Sequence, residues 1–107
     1  MPAYIYLGFA ILAEVVATGA LKASDQLTRV GPTIIVVVGY VLSFYLLALA
    51  LRSIPLGVAY AIWSGVGTAA IAAIGMIAFG EPFTVVRVFW IGVIVVGVVG
   101  LQLSSSS

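Results

Sequence analysis

Glu14 is the side chain best placed in this sequence to do chemistry. It is one of three acidic residues and stands in a run from Tyr4 to Leu21 that carries no other charge. A run of that length spans a bilayer as a helix. A carboxylate at the centre of such a span costs at least ~2.5 kcal/mol on insertion scales, so ionisable groups there are functional candidates by default. A burial-disfavoured carboxylate is neutral and protonated while its cavity is empty and can exchange that proton for a cation. The bland alternative is that Glu14 pairs with a fixed cation and only pins a helix bundle. Lys22 lies two turns away at the membrane end, and the remaining cations fall in or beside the connections between segments.

At 3.6 residues per turn, Leu7, Ala10, Ile11, Ala17, Thr18 and Leu21 share the Glu14 face, with Tyr4 at its edge. The small residues at 10 and 17 are read as open space beside the carboxylate, and Thr18 as a hydrogen-bonding neighbour. A second constellation is Ala59-Tyr60-Ala61-Ile62-Trp63-Ser64-Gly65-Val66-Gly67. Tyr60 and Trp63 share a helix face, and aromatic faces attract organic cations by ~0.5–2 kcal/mol, more when dry. Near a helix start the same residues also suit an interfacial aromatic belt. Gly65 and Gly67 suit a hinge or a notch for a neighbouring helix. A third face holds Tyr40, Ser43, Phe44 and Leu47, and Ser43, Phe44 and Leu47 are expected to line a pocket together with Tyr4, Leu7, Ala10, Ile11, Ala17 and Thr18 of the first segment. Tyr40 is deep, a buried phenol needs a partner, and Glu14 is the acceptor expected for it.

These groups must be positioned by helices. Of the 107 residues, 64% are hydrophobic and 7% charged, against roughly 25% charged in a soluble domain. The chain reads as an integral membrane protein forming a single all-α domain over residues 1–107, with four spans at about 4–21, 33–51, 57–79 and 84–103. In lipid, backbone polar groups must be paired within the segment, which leaves helices. No strand-period alternation supports a β-barrel. The fourth segment, rich in valine, has no central polar group. Gly97 and Gly100 share a face there, suited to dimer packing. The Ser104–Ser107 tail has no role that its residues reveal, and the absence of a basic leader before the first segment argues against a cleaved signal peptide.

Composition removes several function classes. A formal net charge of +1 provides no basic patch for nucleic acid. With no Cys and no His, there are no disulfides, no thiol catalysis and no Cys/His metal site. No nucleotide-binding motif is present, so transport would draw on an ion gradient or on substrate flow. Neither enzymatic activity nor a cofactor is expected. A passive pore needs a continuous polar stripe, whereas here the polar groups converge at one depth. A non-transporting scaffold leaves an unpaired central Glu unexplained. One four-helix chain is too small both to enclose a cavity and to gate it from two sides, so a dimer is expected.

Ala13-Glu14-Val15, Lys22, Phe44 and the 59–67 stretch, with the four-span layout, resemble the small multidrug resistance family over essentially the whole chain. The resemblance implies a proton-coupled antiporter of lipophilic and quaternary ammonium cations in the bacterial inner membrane. It implies an antiparallel dimer whose two Glu14 carboxylates share one site, lined by Tyr4, Tyr40, Tyr60 and Trp63, with alternating access by exchange between asymmetric protomers. A guanidinium-exporting branch usually has Trp three residues after the key Glu; Ala17 stands there in this chain. The family's self-association motif commonly has two glycines seven apart, whereas here Trp90 stands where Gly97 would have its partner. Polyamine-handling and lipid-carrier paralogues and a heterodimer with a paralogue are the alternatives within the family. Lys22, Arg29 and Arg87 on one side against Arg52 on the other is a small orientation bias, compatible with insertion both ways.

Overall fold

The computed structural model describes residues 2–106. Ser107, the end of the serine tail, lies outside the described residues. Four helices follow one another: α1 (Pro2–Ala23), α2 (Val30–Ala50), α3 (Leu56–Ala78) and α4 (Val85–Ser106). All four are long and apolar enough to cross a membrane, and the chain is a multi-pass membrane protein. The helices extend a few residues beyond the purely apolar runs because their ends accept polar residues and prolines. Pro2 opens α1 and Pro32 sits in the first turn of α2, where a missing N–H costs nothing. Thr84 caps α4, its Oγ1 accepting the Arg87 N–H at 3.1 Å. Gly80, at φ +70°, ends the α3 side of the turn, and the Glu81 N–H folds back onto the Gly75 carbonyl at 3.1 Å.

The connection between α1 and α2 has an unusual backbone. Asp25, Gln26 and Leu27 all have positive φ, at 51°, 61° and 67°, a conformation costing a non-glycine residue roughly 1–2 kcal/mol. Ser24, fully buried, offsets that cost. Its hydroxyl donates to the Leu21 carbonyl at 2.8 Å and accepts the Leu27 N–H at 3.0 Å. Its carbonyl accepts the N–H groups of Thr28 and Arg29, both at 3.0 Å.

The core sits toward the α2–α3 turn, where Leu7 and Ala10 of α1 meet Leu47 and Ala50 of α2, Ile54 of the turn, and Val58, Ala59 and Trp63 of α3. Gly39 brings α2 onto α1: a Cβ there would lie 2.8 Å from the Ala17 Cβ and 3.2 Å from the Ala13 carbonyl oxygen. Among the described residues, α4 packs on α3 along its length and has no buried residue. The whole is a slab of 45 × 35 × 17 Å. Its short dimension leaves most side chains exposed on one broad face or the other.

Candidate functional site

Glu14 lies midway along α1, one turn beyond the core residue Ala10. Its carboxylate presses against α3 at Gly67, where an added Cβ would collide with Oε1 and lie 2.9 Å from Cδ and 3.1 Å from Oε2. Glycine at 67 is therefore what lets the acid lie flat between the two helices. Glu14 Oε1 is buried and accepts no hydrogen bond among the described residues. The ion pair formed by the described residues is elsewhere, between Arg87 and Glu81 at 3.1 Å. The geometry is thus an acid held inside a membrane span with no internal cation.

The aromatic groups stand one to two turns toward the core. Trp63 is 7% exposed, with its ring centroid 5.4 Å from Phe44 and 5.5 Å from Tyr60. Its indole N–H donates to Ser43 Oγ at 3.0 Å, and Ser43 in turn donates to the Ala10 carbonyl at 2.6 Å. Ser43, fully buried, therefore joins three helices and sets the plane of the indole. Phe44 and Tyr60, by contrast, present more than half their surface outward, on a face that this chain does not cover.

Several expectations from the sequence need correction. Tyr40 does not bond to Glu14: its hydroxyl is 2.6 Å from Thr18 Oγ1. Thr18 is thus engaged with Tyr40 rather than with the acid, because the close α1–α2 approach at Gly39 points the two hydroxyls at each other. Ala10 and Ala17 do not leave open space; both are fully buried, and α2 uses their small size to come near. Leu7 and Leu47, expected to line a pocket, belong to the packed core. Ile11 is half-buried and packs against the edge of that core. Gly65 and Gly67 lie within an unbroken α-helix and act as notches. Gly67 receives the Glu14 carboxylate, and Gly65 faces Val98 of α4, whose Cγ2 would be 2.5 Å from an added Cβ. Gly97 and Gly100 have no side chain or neighbouring helix within 4 Å of an added Cβ, so the face they share is uncovered in this chain. Tyr4 meets an unforeseen partner: Gln102 of α4 donates to its hydroxyl at 2.8 Å, although the two residues are 98 positions apart.

Residues 2–94 match the family model described as Small Multidrug Resistance protein. The chain is 44% identical to the quaternary ammonium compound-resistance protein QacE of Escherichia coli over 107 residues, covering 100% of this chain and 97% of that protein. It is 47% identical to QacF of Klebsiella aerogenes, likewise named for quaternary ammonium compound resistance, over 98% of this chain and 96% of the relative. It is also 47% identical to the multidrug resistance protein Mmr of Mycobacterium tuberculosis H37Rv, over 96% and 97% respectively.

Proposed function

The chain belongs to the small multidrug resistance family, and from that premise we propose that it is a proton-coupled antiporter exporting lipophilic and quaternary ammonium cations across the bacterial inner membrane. The observation that carries this reading is the Glu14 carboxylate, pressed against Gly67 in mid-span with Oε1 buried and no ion pair among the described residues. A protonated Glu14 is neutral and compatible with an empty, dry site. An ionised Glu14 needs a counter-charge, and an organic cation supplies it without the dehydration cost of a small metal ion. Proton and drug exclude each other at one carboxylate, and that exclusion couples the two flows.

The aromatic residues supply the rest of the site. Trp63 is oriented by Ser43, and Tyr60 and Phe44 pack against it at a tilt while staying more than half exposed, where they offer cation–π attraction. Tyr40 is held by Thr18 and shapes the same face. Phe44 and Tyr60, more than half exposed, have no second wall among the described residues. We assign that wall to a second copy of the chain in antiparallel orientation, so that two Glu14 carboxylates share one cavity and titrate as a pair. Packing at Gly97 and Gly100 would hold the two copies together, and exchange of their asymmetric conformations would open the site to each side in turn. The outward-facing aromatics and the uncovered α4 face support this reading.

The test is simultaneous measurement of quaternary-cation binding and proton release on purified protein. Glu14→Gln abolishes both while the protein still inserts and folds. In the parent protein, binding weakens as pH falls, since protons occupy the carboxylates that the drug needs. An affinity that is flat from about pH 5 to 9 would rule out shared occupancy.

A further inference from the structure

On the side of the α1–α2 hairpin away from Glu14 runs an open groove of about 620 Å³. Its walls extend from Ile5 to Val16 on α1 and from Ile34 to Leu46 on α2, and every lining side chain is apolar except that of Tyr6. At 1.5 Å per residue the groove is about 17 Å long, close to the ~15 Å depth of one leaflet of a bilayer's hydrocarbon core. At Tyr6 it meets a second, smaller pocket of about 240 Å³, lined by Pro2, Ala3, Leu49, Arg52 and Ser53 together with Tyr6 itself. The two cavities share Tyr6, so an apolar channel one leaflet deep ends at a cationic and hydroxyl-bearing mouth. At the other end the lining stops at Val16 and Ile34 without a charged residue.

Arg52 is the charged residue that lines these two cavities. It is exposed and makes no ion pair among the described residues, whereas Arg87 is paired with Glu81. A lone guanidinium at the boundary of a span holds phosphate oxygens in a bidentate fork, and basic residues there attract anionic lipid. Ser53 and Tyr6 supply hydroxyl donors beside it. We propose that the α1–α2 groove and the Arg52 pocket together form a binding site for one anionic phospholipid, with an acyl chain along Phe9, Leu12 and Val38 and the phosphate on Arg52. The site is independent of the Glu14 face and of the cation reading above.

The test is native mass spectrometry of the detergent-purified protein titrated with dioleoyl phosphatidylglycerol or dioleoyl phosphatidylcholine. The parent chain retains the anionic lipid about fivefold better, the ratio that ~1 kcal/mol per basic residue gives. Arg52→Gln brings that ratio to near unity, and Arg29→Gln, at the other end of the hairpin, leaves it unchanged. Val38→Trp fills the groove and loses both lipids; Leu42→Trp repeats this a turn away, and quaternary-cation binding confirms that each variant is folded. A parent chain without lipid preference, an Arg52→Gln variant with the parent ratio, or groove-filled variants that keep their lipid would overturn the proposal. Displacement of the lipid by millimolar glycerol phosphate alone would likewise overturn it, since the site would then recognise a soluble phosphate.

Discussion

Replacing Gly67 with alanine tests whether the notch in α3 positions the Glu14 carboxylate. The new Cβ would lie 2.9 Å from Glu14 Cδ and 3.1 Å from Oε2, where ordinary contact begins at 3.4 Å. The atoms in conflict are the far end of a flexible side chain, so the fold survives and the carboxylate moves. Cδ must retreat by about half an ångström, and the nearer oxygen by more, on the order of 1 Å. Moving a unit charge from 4 to 5 Å from its counter-ion at an effective dielectric constant near 20 forfeits ~0.8 kcal/mol. Holding the side chain off its preferred rotamer to recover the contact costs ~0.5–1.5 kcal/mol. The affinity for a quaternary cation therefore falls by ~1–2 kcal/mol, or roughly 5- to 30-fold. Equilibrium binding of a radiolabelled quaternary cation measures this directly, with circular dichroism as the check on folding. Gly65→Ala is the control: its Cβ meets Val98 Cγ2 at 2.5 Å, so it strains the α3–α4 contact and leaves the acid in place. A folded Gly67→Ala protein that binds the cation with the parent affinity would refute the positioning role.

Three other outcomes follow from the same geometry. Ser43→Ala and Trp63→Phe, combined in a double-mutant cycle and followed by reversible unfolding in bicelles, should show a coupling of about 0.6–1.7 kcal/mol, the range for interhelical bonds in membranes; additive effects would remove Ser43 as the link that orients the indole. Ser24→Ala should destabilise the chain by ~1–2 kcal/mol through loss of its turn hydrogen bonds, whereas Gln26→Gly should stabilise it by up to ~1 kcal/mol by relieving a left-handed residue; equal and opposite results would show that the turn is not strained. Because the chain has no cysteine, one Cys placed between Lys22 and Arg29 and probed with an impermeant thiol reagent should be labelled from each side in about half the molecules, and added Lys beside Arg52 should tip that ratio. Labelling from one side only, with full activity and no second subunit, would exclude the antiparallel pair.

The helices were legible because their apolar runs are interrupted only by short polar or proline-containing turns, and lipid leaves such runs no other regular structure. Glu14 was legible because one charge in a span has no inexpensive explanation. What remained hidden depends on rotation and approach. A small residue such as Ala17 reads equally as empty space or as permission for a neighbour to come close, and Gly39 on a different helix decides between them. Tyr40 had two oxygen acceptors within one turn of α1, and choosing Thr18 over Glu14 requires the hairpin's rotation. The Tyr4–Gln102 bond joins the two ends of the chain, and no local period encodes where α4 sits around α3. The left-handed turn at Asp25–Leu27 contains no glycine to announce it; the signal is Ser24, whose hydroxyl replaces backbone bonds and which looks like any loop serine until it is found buried.

The thinness of the slab bears on how this chain tolerates change. In a thick globular domain, most positions that matter for stability are insulated from solvent and ligand by a layer of neighbours, and they drift without altering what the surface does. Here the packed core is a small cluster near one turn, and most of the remaining side chains reach one broad face or the other. One substitution therefore alters helix packing and, at the same atom, the exposed surface. Selection has few neutral positions at which to compensate a costly change. Altered drug range and altered stability should therefore arise together in variants of this protein, and separating them is a matter of choosing positions such as Val38 that touch only one face.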